Sequence, residues 1–340
     1  MLRLFVLAFL FALPLFGKTP GPVLTVTLEK PFGYSWYDLQ NSGPDTTING
    51  AKVAPAIRSE LNFPLDPFRL AIGFASFRQG GQGGQEGADT NRFLRTRLEL
   101  WGAVSPAFSK MRDEDWVGSE ASGNLSSSQA FIKISDTYST VKSLLLGGGI
   151  DREFTEIHVL REPLAFGIGL GGTLFTYDIY GFSGRQLRSD NPPTWTHVDT
   201  SSSLQVGSYA TYNLQSAIHF RTEESILGLH WETRIQPLIF AHSDDDHMIR
   251  KKKITMDCWG TGGAIEASLP LRQGDGEPAQ VARVVPYLRT ELDRTWGRMK
   301  QTYYADSPDT PADETGQSIS GIKTTVNFWL IAVGIHLNFH

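Results

Sequence analysis

In "RVVPYLRTELDRTW" the residues Arg289, Glu291 and Asp293 share one face of an extended strand, opposite Leu288, Thr290 and Leu292. Successive side chains of a strand point to opposite faces, so three ionisable groups point the same way. Burying unpaired charge in a dry core costs several kcal/mol, which does not suit a soluble sandwich. The pattern suits a barrel whose apolar face meets lipid and whose polar face meets a wet, salt-bridged lumen.

The same two-residue period recurs along the chain. In "LRTRLELWGAV", Leu94, Leu98, Leu100 and Val104 oppose Arg95, Arg97 and Glu99. In "LAFGIGLGGTL", Leu164, Phe166, Ile168, Leu170 and Leu174 oppose Gly167, Gly169 and Gly171. In "WLIAVGIHLNF", Trp329, Ile331, Val333, Ile335, Leu337 and Phe339 oppose Ala332, Gly334, His336 and Asn338. The lumen residues Arg95, Arg97, Glu99, Arg289, Glu291 and Asp293 are expected to pair with one another.

The start of the chain, "MLRLFVLAFLFALPLFG", carries Arg3 and then an apolar run broken by Pro14. That run is shorter than the ~20 residues a spanning helix needs and reads as a secretory signal over residues 1–17. The barrel is then expected over residues 18–340. Cys258 is the single cysteine, so an internal disulfide is excluded, and the mildly acidic formal charge of -5 gives no reason to expect a nucleic-acid partner.

The expected fold is all-β: a ten-stranded antiparallel transmembrane β-barrel of the bacterial outer membrane. Strands are predicted near 23–39, 53–78, 92–109, 128–148, 163–182, 202–222, 226–242, 253–272, 282–304 and 319–339. An even number puts both termini on the periplasmic side. The loops "QNSGPDTTING", "MRDEDWVGSEASGNLS", "SGRQLRSDNPPTWTHVD", "DDDHMIRKK" and "ADSPDTPADETGQS" would then be extracellular.

Two acidic clusters fall at that mouth. Unbroken alternation from Arg95, Arg97 and Glu99 carries Asp113 and Asp115 to the lumen face. For Asp245 and His247 the parity set by Leu227, Leu229, Trp231 and Ile235 points outward. A bulge at Pro237-Leu238-Ile239-Phe240, where alternation lapses, would return them to the lumen.

Asp113-Glu114-Asp115-Trp116 resembles the Asp-x-Asp-Trp element of the omptins, outer-membrane proteases built on ten-stranded barrels. Asp245-Asp246-His247 resembles their Asp-x-His element, in the same strand order. The resemblance implies an endopeptidase without cofactor or metal, acting on peptide or protein with an activated water. His247 would take the proton from that water. Asp245 would orient the ring and stabilise its imidazolium, and Asp113 and Asp115 would hold the water. Outer-membrane lipid, lipopolysaccharide among it, is the other implied partner, and Arg250, Lys251, Lys252 and Lys253 near the mouth could meet it. Ser243 and Asp38 stand where acidic pocket residues would select basic side chains, so that preference is not carried over. Two other readings stay open: a non-catalytic omptin-like barrel, serving as adhesin or narrow pore, and a passive porin.

Overall fold

The computed structural model describes residues 23–40, 47–48, 51–52, 57–65, 68–79, 93–104, 109–118, 131–159, 162–188, 194–222, 226–269, 283–306 and 313–339. The expected signal segment and the turns "GGQGGQEGAD" and "RQGDGEPAQ" lie outside these residues. The strands are β1 (Val23–Gln40), β2 (Thr47–Ile48), β3 (Ala51–Lys52), β4 (Ile57–Leu65), β5 (Phe68–Gln79), β6 (Phe93–Val104), β7 (Ser109–Gly118), β8 (Phe131–Val159), β9 (Glu162–Arg188), β10 (Thr194–Asp199), β11 (Gln205–Thr222), β12 (His230–His247), β13 (Lys252–Ser268), β14 (Arg283–Tyr303) and β15 (Ser318–Phe339).

Every pairing is antiparallel, and β1 pairs with β15 from Leu24↔Phe339 to Gln40↔Lys323, which closes the sheet. Counting β4 with β5 and β6 with β7 as single staves, ten strands ring the barrel among the described residues. Closure removes the open edges that would otherwise template aggregation. Both ends of the described chain, Val23 and Phe339, lie at one rim, and the turn after His247 lies at the other.

The outer face carries the apolar belt expected of a transmembrane barrel. Phe68, Leu70, Ile72 and Phe74 on β5 are exposed, as are Leu144 and Leu146 on β8, Ile168 and Leu170 on β9, and Leu288 and Leu292 on β14. Trp259, Trp296 and Trp329 stand on the outer face toward the mouth, and Trp259 pairs with Trp296 across β13 and β14. Such a girdle marks the membrane interface. Beyond it the outer face turns polar, with Lys253, Thr255 and Asp257 exposed on β13.

Inside the belt, charges fill the lumen as the alternation predicts. Arg95 bonds Glu232 at 2.8 Å and Arg97 reaches Asp151 at 3.2 Å and Glu232 at 2.9 Å. Arg69 bonds Glu99 at 2.6 Å, and Arg289 bonds Glu29 at 2.8 Å and nears Glu291 at 3.7 Å. Asp293 departs from the expectation: its Oδ1 is buried with no hydrogen-bond partner among the described residues. Arg69 stacks on the Trp101 ring, 4.7 Å from its centroid. Trp101 lies across Gly147, where a Cβ would meet the ring at 2.4 Å.

Toward the mouth the lumen becomes apolar. Phe63, Tyr177, Phe175, Tyr37 and Tyr209 interlock, with centroids 4.3 Å apart for Phe63–Tyr177 and 3.7 Å for Phe175–Tyr177, and Met111, Met256 and Met299 pack with them. A cavity of about 200 Å³ lies among the charges and reaches up to Tyr37 and Phe175. Ion pairs and this aromatic layer occupy the lumen on either side of that cavity among the described residues, which argues against the porin reading.

Strand bounds needed correction on the mouth side. The region near 92–109 continues as β7 to Gly118, so Asp113 and Asp115 sit in a strand and not in a loop. β12 likewise runs to His247 and β9 to Arg188, and "TWTHVD" pairs back on β9 as β10, while at the opposite rim β8 runs on to Val159. The barrel wall therefore rises beyond its belt. Polar outer residues there erase the hydropathy contrast that marks strands within the belt.

Candidate active site

The expected bulge exists. Register shifts occur between Gln236 and Ile239 against β13, and between Ser216 and Ile218 against β12. Gln236 is buried at 2% exposure while Pro237 and Leu238 face out; Ile239, Ala241, Ser243 and Asp245 are then buried in turn. The inward set thus changes from even to odd numbers within three residues, and Asp245 and His247 enter the mouth. Two consecutive outward residues, Pro237 and Leu238, are the step that exchanges the two faces of the strand, so deleting Leu238 should remove the extra residue and leave Asp245 and His247 facing in. A cysteine at position 244, exposed in the parent barrel, should then stay open to an impermeant maleimide. Loss of that labelling would dismiss the bulge as the cause.

Asp113 and Asp115 share the inward face of β7 with buried Met111. β4 and β8 hold them from both sides, with Asp113 opposite Leu61 and Thr137, and Asp115 opposite Ser59 and Ser135. Ser59 donates its hydroxyl to Asp115. Asp113 Oδ1 is a buried acceptor with no partner among the described residues. Glu114, between them, faces outward and pairs with Arg112 and Lys133.

Asp245 accepts from Ser243 Oγ at 2.6 Å and from the Ala210 backbone N–H. His247 Nε2 bonds Tyr209 Oη, with the two rings edge to face at 5.3 Å. The expected Asp245–His247 contact is therefore not the one present: Ser243 holds the carboxyl and Tyr209 holds the imidazole. Tyr209 also lies within electrostatic reach of Asp245, Asp113 and Asp115.

Lys252 completes the set. It stands directly across from His247 in the β12–β13 register and shares the inward face with buried Ile254, Met256 and Cys258. Its Nζ bonds Gln301 Oε1 at 3.4 Å. Of the basic run considered for lipid, Lys252 thus turns into the mouth while Lys253 faces out. Asp38 also lies away from the site, paired with Arg58 at 3.1 Å.

These groups stand beyond the tryptophan girdle, and burial dominates their protonation. Burial and the neighbouring Asp115 charge push the Asp113 carboxyl well above the usual range. Burial pushes Asp245 up to about 8, against the pull of its Ser243 and Ala210 hydrogen bonds. Burial and then the Lys252 and Arg250 charges hold His247 well below an ordinary histidine. Lys252 is lowered by burial and by Arg250, with Asp115 and Asp113 opposing. At neutral pH the site holds an unprotonated imidazole, the state a general base needs.

This is the fold of the outer-membrane β-barrels. The crystal structure of the outer-membrane protease OmpT from Escherichia coli superposes on the chain with TM-score 0.56 at 12% identity, covering 95% of this chain and 99% of that one. The outer-membrane protein OprG from Pseudomonas aeruginosa aligns with TM-score 0.35 at 12% identity, over 95% and 98% of the two chains. No family model matches the sequence, and no curated protein matches it.

Proposed function

We propose that the chain is an outer-membrane endopeptidase that hydrolyses peptide bonds with a water held at the barrel mouth. The observation carrying this reading is the bulge at residues 236–239. It brings Asp245 and His247 to the lumen side, where Asp113 and Asp115 already face. Asp113 Oδ1, buried and unpartnered among the described residues, supplies the acceptor for the water. His247, unprotonated, takes the water's proton as the oxygen attacks the carbonyl carbon, and returns it to the leaving amine. Asp245 supports the imidazolium once ionised. The likeness in fold to an outer-membrane protease supports the reading. The mouth faces the cell exterior, peptide or protein is the substrate, and Lys253 on the outer wall is available to anionic lipid such as lipopolysaccharide.

A second reading, a non-catalytic omptin-like barrel, draws on the bonds that Ser243 and Tyr209 make to Asp245 and His247. The two separate in one experiment. The refolded barrel is incubated with a peptide mixture in heavy-oxygen water, and the products are weighed by mass spectrometry. A water-driven peptidase yields new C-termini carrying one heavy oxygen. An uncleaved mixture at every pH tried would leave the non-catalytic barrel.

A further inference from the structure

We propose that Lys252 is a catalytic residue of this site, supplying the positive charge that stabilises the oxyanion of the tetrahedral intermediate. The proposal rests on the peptidase reading above. When water attacks, a carbon–oxygen bond forms and the carbonyl π pair moves onto the carbonyl oxygen. That oxygen needs a donor or cation in place beforehand, and such preorganised stabilisation is commonly the largest single contribution to acyl-transfer catalysis. Asp113, Asp115, Asp245 and His247 are three carboxyls and an imidazole, and the imidazole's proton is reserved for the leaving amine. None of the four carries a permanent positive charge.

Lys252 occupies the place where that charge is required. It is the cross-strand partner of His247, and directly opposed residues keep their Cβ atoms about 4.5–5.5 Å apart. The face it shares with Ile254, Met256 and Cys258 fixes its direction into the lumen. Its charge reaches His247 and also Asp113 and Asp115, so it bears on the base and on the water-holding pair alike. An ammonium has three N–H donors. Gln301 engages Nζ at 3.4 Å, a long bond that anchors the group without consuming it. The low-dielectric floor of Tyr209, Ile254 and Met256 strengthens any charge interaction above it. When the intermediate collapses, the carbonyl re-forms, the carbon–nitrogen bond breaks, and the amine leaves with the proton from His247. Lys252 keeps its own proton throughout.

The competing role is that of a counter-ion which merely balances Asp113 and Asp115. Kinetics on a fluorogenic peptide separate the two, with Lys252→Met, Lys252→Arg and His247→Ala assayed beside the wild-type barrel. Folding of each is checked by the shift in gel mobility on boiling. Oxyanion stabilisation predicts that Lys252→Met lowers kcat by about 10²–10³-fold, with KM changed by no more than a few fold. Lys252→Arg, which keeps a cation and donors, should recover much of that loss, and the Lys252→Met deficit should persist across the pH profile. A deficit that disappears at the low-pH end of the profile would assign Lys252 to charge balance and overturn the proposal. So would full activity of folded Lys252→Met beside an inactive His247→Ala. If His247→Ala cleaves as well as wild type, or wild type does not cleave at all, the peptidase reading falls and takes this inference with it.

Discussion

Replacing His247 by alanine is expected to abolish detectable peptide cleavage while the barrel still folds. A positioned general base contributes about 10²–10⁴-fold, and no other imidazole lies among the described residues of the mouth. His247 is half-buried at the rim and bonded to Tyr209, so its loss removes little packing and leaves the aromatic layer beneath intact. Asp113→Ala should be comparably inactive, since it removes the unpartnered acceptor. Asp246→Asn should stay within a few fold of wild type, because Asp246 faces away and accepts from Tyr304 at 3.1 Å. Wild-type rates from His247→Ala would remove the mechanism.

The same site sets the pH response. Asp245 supports an imidazolium only when ionised, and its carboxyl is pushed up to about 8. Activity should therefore climb as pH rises toward that value, and Asp245→Asn should lack the climb. Stability runs the other way. With its folded pKa above its unfolded one, Asp245 holds a proton in the folded state that the unfolded chain releases, so its contribution falls as pH rises from about 4 toward about 8. Asp245→Asn should be a less active barrel that resists denaturant better at alkaline pH.

Within the belt, the barrel was legible because lipid imposes a strict code. Leu288 and Leu292 must face out, so Arg289 and Glu291 must face in, and the structure places them so. Beyond the girdle the code inverts. On β13 the buried lumen face is Ile254, Met256 and Cys258, and the outer face is Lys253, Thr255 and Asp257. The strand predicted near 253–272 begins one residue late and leaves Lys252 in the loop "DDDHMIRKK", so its place on the inward face is not read. The Asp113 and Asp115 parity survived because alternation from β6 carried through to β7. Asp245 and His247 required a bulge, for which Pro237 and the apolar run after it gave a usable signal. Tyr209 and Ser59 gave none, since a hydroxyl on an alternating strand looks the same whether it touches a catalytic group or water.

The largest stability effect is expected at Glu29. Its side chain is fully buried on β1, where it accepts from Tyr287 at 2.7 Å and Arg289 at 2.8 Å on β14, and pairs with Arg69 at 3.3 Å on β5. β1 is the strand that closes the barrel against β15, so this one carboxylate fastens the seam from both flanks. Among the described residues, Glu29→Ala leaves Arg289 with the 3.7 Å contact to Glu291 as its nearest ion pair and deprives the buried Tyr287 hydroxyl of its acceptor. Breaking a buried pair by removing one partner costs ~3–5 kcal/mol, because the remaining charge has lost its compensation. The exposed His242–Asp257 pair on the outer wall serves as the comparison. Asp257→Asn removes an interaction that solvent already screens, worth ~1 kcal/mol at most. Urea titration of barrels refolded into lipid vesicles should show a large fall in midpoint for Glu29→Ala, an intermediate one for Glu29→Gln, which keeps an acceptor for Tyr287, and almost none for Asp257→Asn. Equal midpoints for Glu29→Ala and Asp257→Asn would mean that water entering the lumen compensates the arginines, and that backbone pairing between β1 and β15 closes the barrel without the charge.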